Sequence, residues 1–324
     1  MHSIQQYRKE FITYLEQKIF TKEPATLYDP ITYILGLGGK RLRPVLTLMT
    51  TDLFGTDYKK ALDASLAIEV FHNFSLVHDD IMDAAPLRRG QQTVHEKWDL
   101  NTAILSGDAM LILAYQYFEN YRNDTFRELA QLFSKTALEV CEGQQYDVDF
   151  ETRDDVTIPE YLKMIEYKTA VLVAAAMKMG GIIAGASLKD QNYIYEFGKN
   201  LGIAFQLQDD YLDAFGDPDT FGKQLGGDVI ANKKTILYLL AMQSGNAEEQ
   251  KQILDLYSIQ PQDPTEKVNT VKAIYLSSGS EKRTKLEIQN YTQKAFDILT
   301  MLNLSEEKKN VLREFGEGLM RREV

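Results

Sequence analysis

Two stretches of the chain repeat one spacing of carboxylates. Asp79, Asp80 and Asp83 stand in His78-Asp79-Asp80-Ile81-Met82-Asp83, and Asp209, Asp210 and Asp213 in Gln208-Asp209-Asp210-Tyr211-Leu212-Asp213. On a helix, the first and last members of each triplet lie one turn apart on the same face. Like charges so placed repel, and Asp is a mediocre helix former, so each triplet asks for a compensating cation. Oxygen-only donors select a hard ion, Mg²⁺ first. One such cluster reads equally well as a solvated acidic helix end. Two copies, each closing an apolar helix, point to a shared device. If the two helices pack side by side, six carboxylates converge on one pocket. Mg²⁺ dehydrates reluctantly and is often held by a few carboxylates plus substrate phosphates. The pair therefore predicts a diphosphate substrate bridged by several Mg²⁺ ions.

A diphosphate also needs direct cationic contacts. Gly38-Gly39-Lys40-Arg41-Leu42-Arg43-Pro44 is a basic run, Arg88 and Arg89 follow the first triplet past Pro86, and Lys168-Thr169 sits mid-helix. Lys223 lies in the glycine-bearing loop Phe221-Gly222-Lys223-Gln224-Leu225-Gly226-Gly227-Asp228, with Lys233 and Lys234 just beyond. Arg offers a bidentate fork to phosphate oxygens, and Lys a point charge. Each of these residues alone reads as ordinary solvated surface; their arrangement around both triplets is the signal.

The elements that must position these groups read as helices. Tyr58 to Asp83 holds no Gly or Pro, and Leu62, Leu66, Val70, Phe74 and Val77 recur at helical steps. Thr157-Ile158-Pro159-Glu160 has the form of a capping box, predicting a helix to about Met179. Asp190 can cap another to about Phe215, where Asp217-Pro218 breaks it, and Ser305-Glu306-Glu307 opens a last helix toward Met320. The polar stretch Ser244 to Glu266 reads as a connection between helices. No alternating strand pattern, linker or short-period repeat is evident. The expectation is an all-α fold, a single helical domain over residues 1–324. The apolar run Ala170 to Leu188 has a span's length, but its Ala and Gly content and Lys178 favour a buried, closely packed helix pair. The chain has 324 residues, 44% hydrophobic, and a net charge of −11. So acidic a chain argues against nucleic acid on a broad basic face. Its one cysteine, Cys141, excludes an intrachain disulfide, fits a reducing compartment, and reads as a small buried helix residue. The segment Met1 to Phe20 lacks the apolar core of a signal peptide, so the expected location is cytoplasmic.

From Gly38 to Thr235 the motifs, taken in order, resemble the trans-isoprenyl diphosphate synthases, the family of farnesyl and geranylgeranyl diphosphate synthases. They are Gly-Gly-Lys-Arg-x-Arg-Pro, Asp-Asp-x-x-Asp-x-x-x-x-Arg-Arg-Gly, Gly143-Gln144-x-x-Asp147, Lys168-Thr169 and Phe205-Gln206-x-x-Asp-Asp-x-x-Asp. The resemblance implies an isoprenoid-synthase-type bundle around a central cavity, usually homodimeric, using three Mg²⁺ ions once diphosphate is bound. It implies that Asp79 and Asp83 hold two ions with Asp80 in support, and that Asp209 holds the third with Asp210 and Asp213 behind it. Arg88, Lys168, Lys223 and Lys233 would contact the allylic diphosphate, and Lys40, Arg43, His72 and Arg89 isopentenyl diphosphate. Gln144 and Asp147 would stand either behind the residues that touch substrate or near the allylic site. Thr169 and Gln206 would turn oxygens toward the developing cation, and Phe205 would line the pocket. An isolated His on an apolar helix usually belongs to the core; motif context alone raises His72, and His78 and His95 are left in the core.

The implied reaction breaks an allylic C–O bond, adds the isopentenyl double bond to the cation and loses a proton, with the departing diphosphate as the implied base. In such enzymes, bulk just below the first triplet sets the tunnel floor. Ser75 lies one turn below Asp79, and Phe74 is five residues back, about 7.5 Å along the axis. One aromatic and one small residue there, with no insertion in the motif, resemble geranylgeranyl-type enzymes and point to a C20 product, with C15 the alternative. Three rival readings fit less well. A terpene cyclase usually keeps one triplet of this form. A non-catalytic partner subunit typically loses aspartates, and none is missing here. A Ca²⁺-binding protein would need an EF-hand pattern. Some relatives close a basic tail over isopentenyl diphosphate; here Arg321-Arg322 is followed by Glu323-Val324, against that role.

Overall fold

The computed structural model describes residues 1–18, 22–217 and 225–321. Lys223 and Arg322, both singled out above, lie outside them. The chain forms two compact units, Met1–Lys135 with Ala175–Gln191, and Thr136–Ala174 with Asn192–Val324. Both are helical.

In the first unit, α4 (Leu62–Met82) packs against α3 (Leu42–Leu53) and α6 (Leu100–Phe118), with α1 (Ile4–Lys18), α2 (Ala25–Gly36) and the short α5 (Val94–Lys97) completing it. The helix expected from Tyr58 starts with a 3₁₀ turn, Tyr58–Ala61, whose Lys59 amide donates to the Asp57 carboxylate (3.0 Å). The α4 periodicity faces the core: Leu66, Val70 and Val77 are each 1% exposed.

The sequence showed no strand, yet a hairpin follows α4. Its strands β1 (Leu87–Arg88) and β2 (Gln91–Gln92) pair antiparallel, Leu87 opposite Gln92. Its loop residues Arg89 and Gly90 both have positive φ (55° and 76°), the twist that lets a two-residue turn match paired strands. Two-residue strands are too short to carry an alternation.

Helix α7 (Asn123–Thr152) supplies residues to both units, as do α9 (Val171–Ile183) and α10 (Leu188–Phe215). The second unit adds α8 (Ile158–Ile165), α11 (Gly227–Ile230), α12 (Ile236–Ser244), α13 (Ala247–Tyr257), α14 (Thr265–Ser277), α15 (Ser280–Met301) and α16 (Glu306–Met320). Its core gathers Tyr161, Ile165, Ala170, Leu207, the apolar run of α12, Val271 and Tyr275.

Several expectations hold and several change. Thr157 and Glu160 form the capping box reciprocally, with Pro159 in the first turn of α8. The helix after them is not uniform: Glu166–Ala170 is a π turn, and α9 resumes beyond it. Residues Val171 to Met177 are buried, as the closely packed reading required. Among the described residues no helix is long and apolar enough to cross a membrane. The cap of α10 is Ser187 rather than Asp190; its hydroxyl accepts from Asp190 N (3.1 Å) while donating to the Asp190 carboxylate (2.7 Å). The stretch Ser244 to Glu266 is more than a connection. Asn246 and Glu249 build a second capping box that starts α13, a polar helix with Ile253 its buried anchor. Cys141 is exposed, not buried: it falls on the outer side of α7, between Val140 and Gly143, which take the buried positions.

Candidate active site

In the first unit, a cationic cluster assembles around the Gly38–Arg43 turn and the upper half of α4. Arg41 takes a left-handed conformation (φ 51°) at the start of α3. Its guanidinium is buried, paired with Glu69 of α4 and donating to the Leu35 carbonyl. The first arginine of the basic run is thus a structural pin, while Lys40 beside it is exposed. Arg43 meets His72 across α3 and α4 at 3.2 Å. Arg89 donates to the Gly38 carbonyl. A Cβ at Gly39 would come within 2.9 Å of the Arg89 guanidinium, so glycine there lets the arginine lie flat against the turn. Arg88, on β1, grips Asp80 with Nε 2.8 Å from both carboxylate oxygens and Nη2 2.6 Å from one. Asp80, whose side chain is 1% exposed, therefore faces into the unit. Asp79 is half-buried and Asp83 exposed.

His72 registers this charge. Its pKa is held well below 6.5, first by burial and then by Arg43, Arg89, Arg88 and Arg41. It is neutral at pH 7, in a pocket rich in guanidinium groups that suits an anion. The linkage has a definite sign. Below about pH 6.5 the unfolded chain takes a proton that native His72 refuses, so stability falls as pH falls, by up to about 1.4 kcal/mol per pH unit. His72→Gln is expected to make the loss of urea resistance between pH 6.5 and 5 shallower than in the wild type. Parallel curves for the two proteins would contradict a neutral native His72.

In the second unit, the π turn displays the Lys168-Thr169 pair. Lys168 Nζ meets Asp147 of α7 at 2.5 Å. Thr169 Oγ1 donates to Gln206 Oε1 (3.1 Å), and Gln206 Nε2 donates to Asp210 Oδ1 (3.0 Å). Tyr161 donates to the other oxygen of Asp210. Asp210 is 6% exposed. Its pKa is pushed up, by burial first and then by Asp228, against the two hydrogen bonds. Asp213 accepts from Asp228 N (3.0 Å) and, through its carbonyl, from Gly226 N (2.7 Å), which fixes the entry to α11. Neither polar end of the Gln144 amide has a hydrogen-bond partner among the described residues. Phe205, Asp209 and Lys233 are all half-buried.

The π turn is fitted between two glycines. A Cβ at Gly143 of α7 would lie 2.7 Å from Lys168 Cα, and one at Gly202 of α10 would lie 2.8 Å from Ala170 Cα. Helix backbones approach each other here with no room for a side chain. Short π segments inside α-helices recur at functional sites; this one carries the cation and hydroxyl that the sequence motifs singled out.

Whether these residues suit a divalent ion can be judged from the donors. Among the described residues, no group of three or more His, Cys, Asp or Glu forms a ready-made metal cage. Mg²⁺ seldom uses one; it is held by one or two carboxylates, water and substrate phosphate. Both triplets sit at helix C-terminal ends, of α4 and of α10, where the helix dipole is already negative. Asp80 is bound by Arg88, and Asp210 by Tyr161 and Gln206; Asp79, Asp83 and Asp209 are oxygen donors of the kind a hard ion takes. The donor set fits.

Phe74, 9% exposed, packs between Phe71 (centroids 5.4 Å) and His78 (4.8 Å) on α4. His78 Nε2 stands 3.3 Å from the Ile104 carbonyl, and a Cβ at Gly107 of α6 would meet its ring at 2.6 Å. His78 thus props Phe74 from below the triplet. Ser75 Oγ returns to the His72 carbonyl (2.9 Å). Sequence reasoning missed Arg41, Tyr161, Asp228 and Lys267. Lys267 is 2% exposed, and its ammonium is bound by Asn232 and the Ile259 carbonyl, holding the residue that precedes Lys233. Of these only Tyr161 carried a usable signal, since the capping box places it in the first turn of a buried helix.

The model of the family described as Polyprenyl synthetase matches residues 24–275. A geranylgeranyl diphosphate synthase of Methanosarcina mazei is 40% identical over 233 residues, covering 71% of this chain and 72% of its own. A geranylfarnesyl diphosphate synthase of Natronomonas pharaonis is 39% identical over 249 residues, covering 71% and 73%. A crystal structure of a geranylgeranyl pyrophosphate synthase superposes with a TM-score of 0.96 at 53% identity, over 100% of both chains.

Proposed function

Because the chain belongs to the polyprenyl synthetase family of prenyltransferases, we propose that it condenses isopentenyl diphosphate head-to-tail with dimethylallyl, geranyl and farnesyl diphosphates, ending at geranylgeranyl diphosphate. The observation that carries this reading is the matched pair of aspartate triplets. Each closes a buried helix, and each has one inward carboxylate tied to a neighbour.

In this reading the two units act as one domain spanning 1–324. The chain passes between them inside α7, α9 and α10 rather than through linkers, the opposite of an ordinary domain boundary. Asp79, Asp83 and Asp209 would hold three Mg²⁺ ions together with the allylic diphosphate, and the ions would supply charge neutralisation for the leaving group. Arg88, Lys168, Lys223 and Lys233 orient that diphosphate and stabilise its charge as the C–O bond breaks. Lys40, Arg43, Arg89 and neutral His72 bind isopentenyl diphosphate and set its double bond toward the cation. Thr169 and Gln206 present oxygens to the carbocation, Phe205 lines the pocket near the homoallylic chain, and the apolar tunnel excludes water. Gln144 and Asp147 support the allylic side, Asp147 by holding Lys168. The departing diphosphate takes the proton. The proposal includes a homodimer: α6 exposes Ile104, Leu105 and Ile112 at 40%, 58% and 58%, a stripe suited to a second copy. It also includes a cytoplasmic setting, in keeping with a single cysteine.

The C20 end point rests on Phe74 over Ser75. Purified protein with Mg²⁺, labelled isopentenyl diphosphate and each primer should give one C20 alcohol after dephosphorylation; a C15 stop would move the floor, and no product from folded protein would defeat the reading. Phe74→Ala should open the floor and shift the main product to C25 or longer. An unchanged product distribution would show that another residue ends the tunnel.

A further inference from the structure

The middle member of the second triplet, Asp210, is held on both sides by neighbouring side chains. Both oxygens of Asp210 are occupied, Oδ2 by the Tyr161 hydroxyl and Oδ1 by Gln206 Nε2 at 3.0 Å. Gln206 in turn has its own oxygen committed to Thr169 Oγ1 at 3.1 Å. The result is an ordered chain, Tyr161–Asp210–Gln206–Thr169, running from α8 through α10 to the π turn.

Each link has one polarity. Tyr161 can only donate to a carboxylate, and burial together with Asp210 holds its phenol far above the ordinary value, so the proton stays on it. Asp210 then accepts from both sides. Gln206 must point its nitrogen at Asp210, which turns its oxygen to Thr169. Without the Asp210 acceptor the amide has no reason to prefer that orientation over its flip. Thr169 spends its hydrogen on Gln206, leaving its oxygen as an acceptor.

The starting point of the chain is well fixed. Tyr161 is 1% exposed. Its helix start is set by the Thr157–Glu160 capping box with Pro159 in the first turn. Arg153 adds a hold on Glu160 at 2.9 Å.

We infer that Tyr161 is a positioning residue for the allylic half of the reaction: through Asp210 it sets the orientation of Gln206 and, through it, of the Thr169 hydroxyl on the π turn. It touches no substrate itself. The inference rests on the prenyl-transfer reading and deepens it, by assigning the polarity of one wall of the site to a phenol on a different helix. It also separates Asp210 from its neighbours: Asp210 serves as an internal acceptor, not as a metal ligand.

The test is Tyr161→Phe, an isosteric change in a buried ring, measured beside wild type in steady state with geranyl diphosphate and isopentenyl diphosphate varied independently. The expected result is a folded protein with its melting temperature lowered by a few degrees at most. Its KM for the allylic substrate should rise and its kcat fall, together lowering kcat/KM by roughly 10-fold, the scale of one buried hydrogen bond. The KM for isopentenyl diphosphate should stay within about 2-fold of wild type, because all four residues of the chain belong to the second unit. Unchanged constants, or equal rises in both KM values, overturn the inference. A second variant protects the test against a general loss of packing. If Tyr161 acts through Gln206 and Thr169, then Tyr161→Phe should add little to Thr169→Val, since both break one chain. Independent, multiplying effects would show that Tyr161 acts by some other route. A wild-type protein that condenses no primer defeats the prenyl-transfer reading instead, before any variant is compared.

Discussion

Replacing Gly143 by alanine is expected to lower kcat/KM by about 100-fold, although no atom of Gly143 is placed against substrate. The added methyl would sit 2.7 Å from Lys168 Cα and from the Tyr167 carbonyl carbon. These are backbone atoms, so no side chain can swing away, and α7 must part from the π turn. Overpacking of this kind costs about 1–3 kcal/mol, and the separation falls on the residues that display Lys168 and Thr169. A displacement of about 1 Å in a positioning group is enough for a 100-fold loss. The Lys168–Asp147 pair spans the same joint and would be stretched with it. Steady-state kinetics beside thermal unfolding decide the matter. A variant that unfolds several degrees early yet keeps its kcat/KM would show that the glycine serves packing alone. Gly202→Ala, which presses on the same turn at Ala170 from α10, should behave alike.

Arg41→Ala is the second large effect, and it should appear in stability. Arg41 and Glu69 have side chains only 4% and 3% exposed and are bound to each other. Removing the guanidinium strands a buried carboxylate and leaves the Leu35 carbonyl without its donor. Breaking a buried pair from one side costs about 3–5 kcal/mol. Glu69 also accepts from Asn73 (3.2 Å), so part of the charge stays solvated by the amide, and the low end of that range is the firmer expectation. Chemical denaturation should show the loss directly. Lys40→Ala, one residue away and exposed, should leave the denaturation midpoint in place and raise the KM for isopentenyl diphosphate. Comparable stabilities for the two variants would mean that the Arg41–Glu69 pair contributes nothing net.

These two cases mark where sequence reasoning ends. The helical class was legible because apolar residues recur at helical steps wherever a helix buries one face, and α4 and α16 show it plainly. The chemistry was legible because a repeated triplet of like charges has no stable use without a cation. The capping box at Thr157 located the start of α8 to the residue. Other features were hidden by their size or their range. The hairpin that carries Arg88 and Arg89 has strands of two residues, below the length at which alternation registers. The helix α13 was concealed by a polar composition, because it buries only Ile253.

What the sequence by itself determined, then, was which residues carry charge, and that most of the chain is helical; both follow from local rules of composition and period. Only the tertiary structure decided how each motif divides its labour. Adjacent residues on a helix differ by a rotation, so Asp80 meets Arg88 and Asp210 meets Tyr161 while Asp79 and Asp209 turn elsewhere, and no local pattern says which partner lies in either direction. Likewise Arg41 turns inward and Lys40 outward because one left-handed residue at the start of α3 aims the first at Glu69. The π turn at Glu166–Ala170 has no local signature at all, since it is set by the closeness of two other helices at Gly143 and Gly202, and a glycine's missing methyl matters only when something long-range arrives to fill its place.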